Sequence, residues 1–125
     1  MKHALGVLLF LLLHSWTTAQ TKINADKLQV LLSENKKIQL VDLRTRGEIE
    51  NTGKINGAIN IDFSAPDFES RITKLDKEKP IVVYCAVGGR SGKTLPLLSK
   101  HGFKVIYEYA GGMKDWLSKG LKTVK

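Results

Sequence analysis

The sequence predicts an α/β fold, with a mainly parallel central sheet of four to five strands and helices on both faces. Two observations point there. Short β-branched runs such as Ile81-Val82-Val83 alternate along the chain with stretches of helical apolar spacing. Alternating strands and helices require right-handed crossovers, and these make the strands parallel. Length and composition agree: 125 residues, 42% hydrophobic and 26% charged, suit one ordinary globular domain.

Residues 1–19 read as a secretory signal peptide and 20–125 as the domain. Met1-Lys2-His3 is a short basic start, Ala4 to Leu13 is unbroken apolar sequence, and Thr17-Thr18-Ala19 offers small residues for cleavage before Gln20. The apolar run is shorter than the roughly 20 residues needed to span a bilayer. The expectation is therefore an exported protein, periplasmic or extracellular, with no membrane anchor after cleavage.

The elements follow in order. Leu28, Leu31 and Leu32 describe a helix from Ala25, with Asn24 as its N-cap. Ile38 to Val41 is a strand ending at Asp42. Arg44 to Asn56 is polar, with one helical turn near Glu48. Ala58 to Ile61 is a second strand. Ser64 starts a helix with Pro66 in its first turn and Phe68, Ile72 and Leu75 on one face. Ile81 to Tyr84 is a buried strand. Leu95, Leu97 and Leu98 mark a helix that stops at His101-Gly102. Lys104 to Tyr109 is the last strand. Gly111-Gly112 breaks the chain before a short helix with Met113, Trp116 and Leu117, read as core packing. Lys119, Lys122 and Lys125 read as a solvated tail.

The chemistry centres on Cys85, the single cysteine. An exported protein with one cysteine has no intramolecular disulfide to form; a leftover cysteine points to a reactive thiol or an intermolecular bond, with a small buried apolar side chain as the bland alternative. Cys85 ends a strand, and a glycine-bearing loop then feeds a helix. Backbone N–H groups and the positive helix end would face the sulfur and lower its pKa. In open parallel sheets, ligands bind outside the carboxyl ends of the strands. Asp42 and Cys85 both stand at such ends.

The charge excludes little. There are 20 Lys and Arg against 12 Asp and Glu, a net charge of +8. Both signs interleave through segments such as Lys74 to Lys79, as on a solvated surface. The excess would draw small anions to a cleft. No basic cluster is interleaved with aromatics, so nucleic acid is not an expected partner. His101, at a helix end, reads as a surface residue.

Four segments together resemble the rhodanese family of sulfurtransferases. Val41-Asp42-Leu43-Arg44 is like the family's Asp-Val-Arg start. Gly53 to Ile61 is like its Gly-His-Ile-x-Gly-Ala-x-Asn. Cys85-Ala86-Val87-Gly88-Gly89-Arg90-Ser91 matches the loop Cys-x-x-Gly-x-Arg-Ser. Gly111 to Trp116 is like the closing Gly-Gly-x-x-x-Trp. Lys54 stands where the family often has His, and one extra residue lies between Glu48 and Gly53. The resemblance implies a rhodanese-like fold and a sulfane sulfur carried as a persulfide on Cys85. It also implies a small anionic donor such as thiosulfate or polysulfide, a thiol or cyanide-like acceptor, and neither metal nor cofactor.

Residues Ala86, Val87, Gly88, Gly89, Arg90 and Ser91 would then bind substrate. Their amides would make an anion-holding concavity. Gly88 and Gly89 would allow unusual backbone angles. Arg90 would orient the donor or hold the loop through Asp42, and Ser91 would cap the following helix. Asp42 and Arg44 would stand behind this layer.

Three rival readings remain at this stage. A rhodanese-like module that binds or carries sulfur without turnover would keep the fold but not catalysis. A cysteine-dependent phosphatase or arsenate reductase would use Cys-x5-Arg, a loop one residue longer than Cys85 to Arg90. A nucleotide-binding P-loop ending in Gly92-Lys93-Thr94 would need glycine at the position of Val87.

Overall fold

β-Branched and aromatic side chains with no polar gap make Ile81–Tyr84 a strand that is buried along its whole length. A strand buried on both faces belongs at the centre of a covered parallel sheet. A computed structural model describes residues 18–125. In it, five strands form one all-parallel sheet: β1 (Ala19–Ile23), β2 (Gln39–Asp42), β3 (Ile59–Asn60), β4 (Ile81–Tyr84) and β5 (Val105–Tyr109). Their order is β1-β5-β4-β2-β3. The α/β prediction holds, at the upper end of the expected strand number. Most of the proposed leader, residues 1–17, lies outside the described residues.

Five helices connect the strands: α1 (Ala25–Glu34), α2 (Arg46–Thr52), α3 (Phe68–Ile72), α4 (Gly89–Lys100) and α5 (Gly112–Ser118). Two cores result, one on each face of the sheet. Leu28 of α1 and Met113 and Trp116 of α5 pack with Leu40, Val82, Tyr84 and Tyr109 on one face. Phe68 and Ile72 of α3 and Leu98 of α4 pack with Val41, Ile81, Val83 and Ile106 on the other. The period of two along each strand sends alternate side chains to the two cores. No helix among the described residues is long and apolar enough to cross a membrane.

Four readings of the sequence need correction. β1 was not expected, because Gln20, Thr21 and Lys22 carry no apolar alternation. It is an edge strand held by main-chain pairing to β5, and only Ile23 is buried. α3 begins at Phe68 rather than Ser64. The Asp62 carboxylate accepts from the Ser64 backbone N–H (2.9 Å) and hydroxyl (2.7 Å), and this local turn competes with the helix. The polar stretch after Arg44 is a full helix, α2, closed by a capping box between Thr45 and Glu48. The C-terminal lysines are not a free tail. Val124 pairs with Lys54 in an antiparallel bridge, the Lys122 carbonyl accepts from Trp116 Nε1, and Lys119 pairs with Asp115.

Candidate active site

The sheet places two loops side by side at its carboxyl edge. β2 and β4 are neighbours in register, and Leu43 N–H donates to the Tyr84 carbonyl at 2.9 Å. Asp42 and Cys85 therefore do share one edge of the sheet.

Cys85 is 1% exposed and lies over the first turn of α4. Gly88 N–H donates to its Sγ at 3.2 Å, and Sγ is 3.6 Å from Ser91 Oγ. Burial alone pushes the thiol up. Hydrogen bonds from the Ser91 backbone and hydroxyl and from the Gly88 and Val87 backbones outweigh it, so the pKa falls below the ordinary thiol value. The first amides of a helix have no partner within it, which is why they are free to face sulfur.

The loop's carbonyls are turned the other way. Met113 N–H donates to the Cys85 carbonyl at 2.9 Å and Lys114 N–H to the Ala86 carbonyl at 3.1 Å. The start of α5 thus ties down the acceptors and leaves the donors for the sulfur. This close approach explains Gly112. Its φ is +66°, and a Cβ there would stand 2.5 Å from the Cys85 carbonyl oxygen and 2.6 Å from that of Ala86. Gly88 (φ +95°) has the same constraint, since a Cβ would meet the Ala110 carbonyl at 2.8 Å. Gly89 carries no such constraint: it lies in the first turn of α4, and a Cβ would meet nothing within 4 Å.

Arg90 does not bond to Asp42. Its guanidinium grips Glu48 of α2 with two bonds, 2.7 and 2.9 Å. That bond, first, lowers Glu48 to about 2, against a smaller penalty from burial. The same contact raises Arg90, as does the nearby Cys85 sulfur. Asp42 is instead saturated by Arg44. Its carboxylate accepts from Arg44 Nε, Nη2 and backbone N–H at 2.8 to 3.2 Å. Arg44 spends its remaining donors on Thr52 Oγ1 and the Gly53 carbonyl, and Asn60 bonds the carbonyls of both residues.

Ser91 does not cap α4 either. It lies inside the first turn, where its Oγ reaches the Gly88 carbonyl (3.2 Å) and Glu108 Oε2 (2.7 Å). The helix is capped by Gly88, which offers no side chain.

Two site residues were missed from sequence. Glu48 was legible in the pattern Thr45-x-x-Glu48, which places a carboxylate in the first turn of a helix. Glu108 was legible as the one charge inside an otherwise apolar and aromatic strand. Outside the loop, a cavity of about 310 Å³ is lined by Arg44, Glu48, Ala86, Met113, Lys114 and Leu117. Val87, 66% exposed, stands at the rim of a neighbouring cavity of about 400 Å³. A larger one of about 700 Å³ lies between α1 and Trp116, away from the thiol. The two smaller cavities are lined by the residues that follow Cys85, Ala86 in one and Val87 in the other. No group of three or more metal-ligating side chains occurs among the described residues.

Known proteins are similar to this chain in sequence and fold. Residues 24–119 match the rhodanese-like domain family. The thiosulfate sulfurtransferase GlpE of Shewanella oneidensis is 33% identical over 87 residues, covering 70% of this chain and 83% of that protein. The uncharacterized protein YqhL of Bacillus subtilis is 38% identical over 84 residues, which span 67% of this chain and 64% of YqhL. The polysulfide-sulfur transferase homodimer of Wolinella succinogenes superposes with a TM-score of 0.72 at 32% identity, over 84% of this chain and 78% of that one. With this match over residues 24–119, the chain belongs to the rhodanese-like domain family.

Proposed function

We propose that this protein is a sulfurtransferase that moves a sulfane sulfur from a small anionic donor to a thiophilic acceptor through a persulfide on Cys85. The observation that carries this reading is a buried thiol whose hydrogen-bond donors outweigh its burial. The Cys85 thiolate attacks the sulfane sulfur of thiosulfate or a polysulfide. An S–S bond forms to Cys85, and sulfite or the shortened polysulfide leaves with the electron pair. A thiol or cyanide acceptor then attacks the outer sulfur and regenerates the thiolate, in two-step covalent catalysis. The amides of Val87, Gly88 and Ser91 stabilise negative charge on either sulfur without reorganising.

Arg90 supports this from the side. With both its fork nitrogens on Glu48, it acts mainly as a brace between α2 and the loop. The solvent-facing cation at the mouth is Lys114. The likeness to sulfurtransferases from Shewanella and Wolinella supports thiosulfate and polysulfide as donors to test first. We also propose export, with cleavage before Gln20. That cut would leave the pairs from Gln20–Ile106 to Ile23–Tyr109 intact.

The test is intact-protein mass spectrometry after exposure to thiosulfate or polysulfide, with Cys85→Ser alongside. The expected result is a gain of one sulfur mass, removed by cyanide and absent from the variant. A thiol that alkylates readily yet gains no sulfur from either donor would overturn the reading in favour of a binding module.

A further inference from the structure

A thiolate at Cys85 and an anionic donor repel each other. The thiolate carries one negative charge and thiosulfate two, and they must come within bonding distance. The charges around the two cavities beside the loop decide how much of that repulsion is offset.

The charged residues that line these cavities are Arg44, Glu48, Asp115 and Lys114. Three of them are already met. Arg44 is bound to Asp42 and Glu48 to Arg90. Arg90 also faces the Cys85 sulfur, but its fork lies on Glu48, so the pair is neutral as a unit. Asp115 takes Lys119 on one carboxylate oxygen and the Tyr109 hydroxyl on the other. Lys114 is the charge left over. It is exposed, and it enters no ion pair among the described residues. It lines both cavities, the one with Ala86 and the one with Val87. Its backbone fixes its place, since its N–H donates to the Ala86 carbonyl at 3.1 Å, one residue beyond the thiol. Exposed apolar side chains stand with it, Val87 in one cavity and Leu117 in the other, and neither competes with it for an anion.

We propose that Lys114 is the specificity-determining residue of this site and selects anionic sulfur donors by holding the end that leaves. With thiosulfate, the thiolate bonds the sulfane sulfur as the S–S bond of the donor breaks. The persulfide keeps one negative charge, and sulfite departs with two and with the electron pair. The Lys114 ammonium faces the sulfonate oxygens throughout. A polysulfide presents its far terminal sulfide to the same ammonium. This deepens the sulfurtransferase reading and rests on it for the donor, but charge selection at the mouth is measurable without any sulfur donor.

Iodoacetate and iodoacetamide make that measurement. Both alkylate the thiolate, and they differ by one negative charge. The ratio of their rates cancels the thiolate fraction and leaves the charge preference of the mouth. Lys114→Gln should lower the iodoacetate-to-iodoacetamide ratio about three- to fivefold, as expected for a solvent-exposed charge pair. Lys114→Arg should keep the ratio. Lys36→Gln removes the same charge from the larger cavity between α1 and Trp116 and should leave the ratio alone. In about 1 M salt, where the screening length is about 3 Å, the wild type should fall to the Lys114→Gln value. With thiosulfate, kcat/KM of Lys114→Gln should drop about tenfold, because this donor carries twice the charge. An unchanged alkylation ratio in Lys114→Gln, or an equal fall in Lys36→Gln, would overturn the assignment. Sulfur gained from thiosulfate with no charge preference at the thiol would overturn the role of Lys114 alone. A charge preference that depends on Lys114, with no sulfur gained from either donor, would overturn the transfer reading alone.

Discussion

Two ion pairs stand at the same edge of the sheet, and they are built differently. Asp42–Arg44 is sealed, with side chains 0% and 2% exposed and the guanidinium bonded to Asp42, Thr52 and Gly53 inside the protein. Glu48–Arg90 is open, with side chains 35% and 28% exposed. The sealed pair joins the end of β2 to the turn after α2 and to Asn60 of β3. It is architecture. The open pair joins α2 to the first turn of α4, beside the Cys85 thiol. Water competes for it, so it can brace the loop without freezing it. Burial, rather than the number of charges, separates a charge that fixes the frame from one that tunes the site.

The largest effect should come from breaking the sealed pair. Removing one member of a buried ion pair leaves the other charge uncompensated, at a cost of about 3–5 kcal/mol. Arg44→Ala also removes the guanidinium donors to the Gly53 carbonyl and the Thr52 hydroxyl. Since small domains are stable by only about 5–15 kcal/mol, urea unfolding should show most of the stability lost. A loss below about 1 kcal/mol would mean that the edge tolerates an unpaired Asp42 and that the two pairs are not different in kind.

A smaller, more local effect should come from Gly112→Ala. The new Cβ would collide with the carbonyls of Cys85 and Ala86, and its φ of +66° opposes a side chain. Strain of this type costs about 1–3 kcal/mol. The consequence for the site should exceed the consequence for the fold, because the two carbonyls must shift and take the loop amides with them. Alkylation of Cys85 by a neutral probe, followed against pH, should show the thiol pKa rising toward its ordinary value. An unchanged thiol pKa in a destabilised variant would show that α5 supports the loop's position but not its polarity.

The contrast also shows where sequence reading reached its limit. The strand ending at Cys85, the glycine loop and the helix after it were legible, because periodicity and glycine are local signals. So was the shared edge of Asp42 and Cys85, which follows from parallel topology. The pairing of charges was not. Arg90 was expected either to orient the donor or to bond Asp42, and the second is excluded because Arg44, two residues from Asp42, forms a tight local chelate with it. Only the placement of α2 across from α4 reveals that Glu48 is within reach of Arg90. β1 was hidden for a related reason, since an edge strand held by main-chain bonds leaves little imprint on its side chains.

The open pair itself should give the smallest measurable effect, and one that depends on pH. Glu48 is lowered from an ordinary 4.5 to about 2. A lowered carboxyl contributes stability that is fully present above its unfolded pKa and fades as pH falls toward the folded one, here between about 4.5 and 2. Solvent reaches a third of each side chain, so the worth of the pair should be about 1 kcal/mol or less rather than the full amount linked to the shift. A double-mutant cycle with Glu48→Gln and Arg90→Ala, run in urea near neutral pH and again below about pH 4, should show coupling that declines with acid. Arg46–Glu50 on the same helix is the natural control. It is also an ion pair, but its side chains are 89% and 68% exposed, and its coupling should stay within about 0.5 kcal/mol at either pH. Equal coupling for the two pairs would mean that the bidentate grip on Arg90 adds nothing. The role of Glu48 would then lie in capping α2 through Thr45, and the loop would be held by α5 alone.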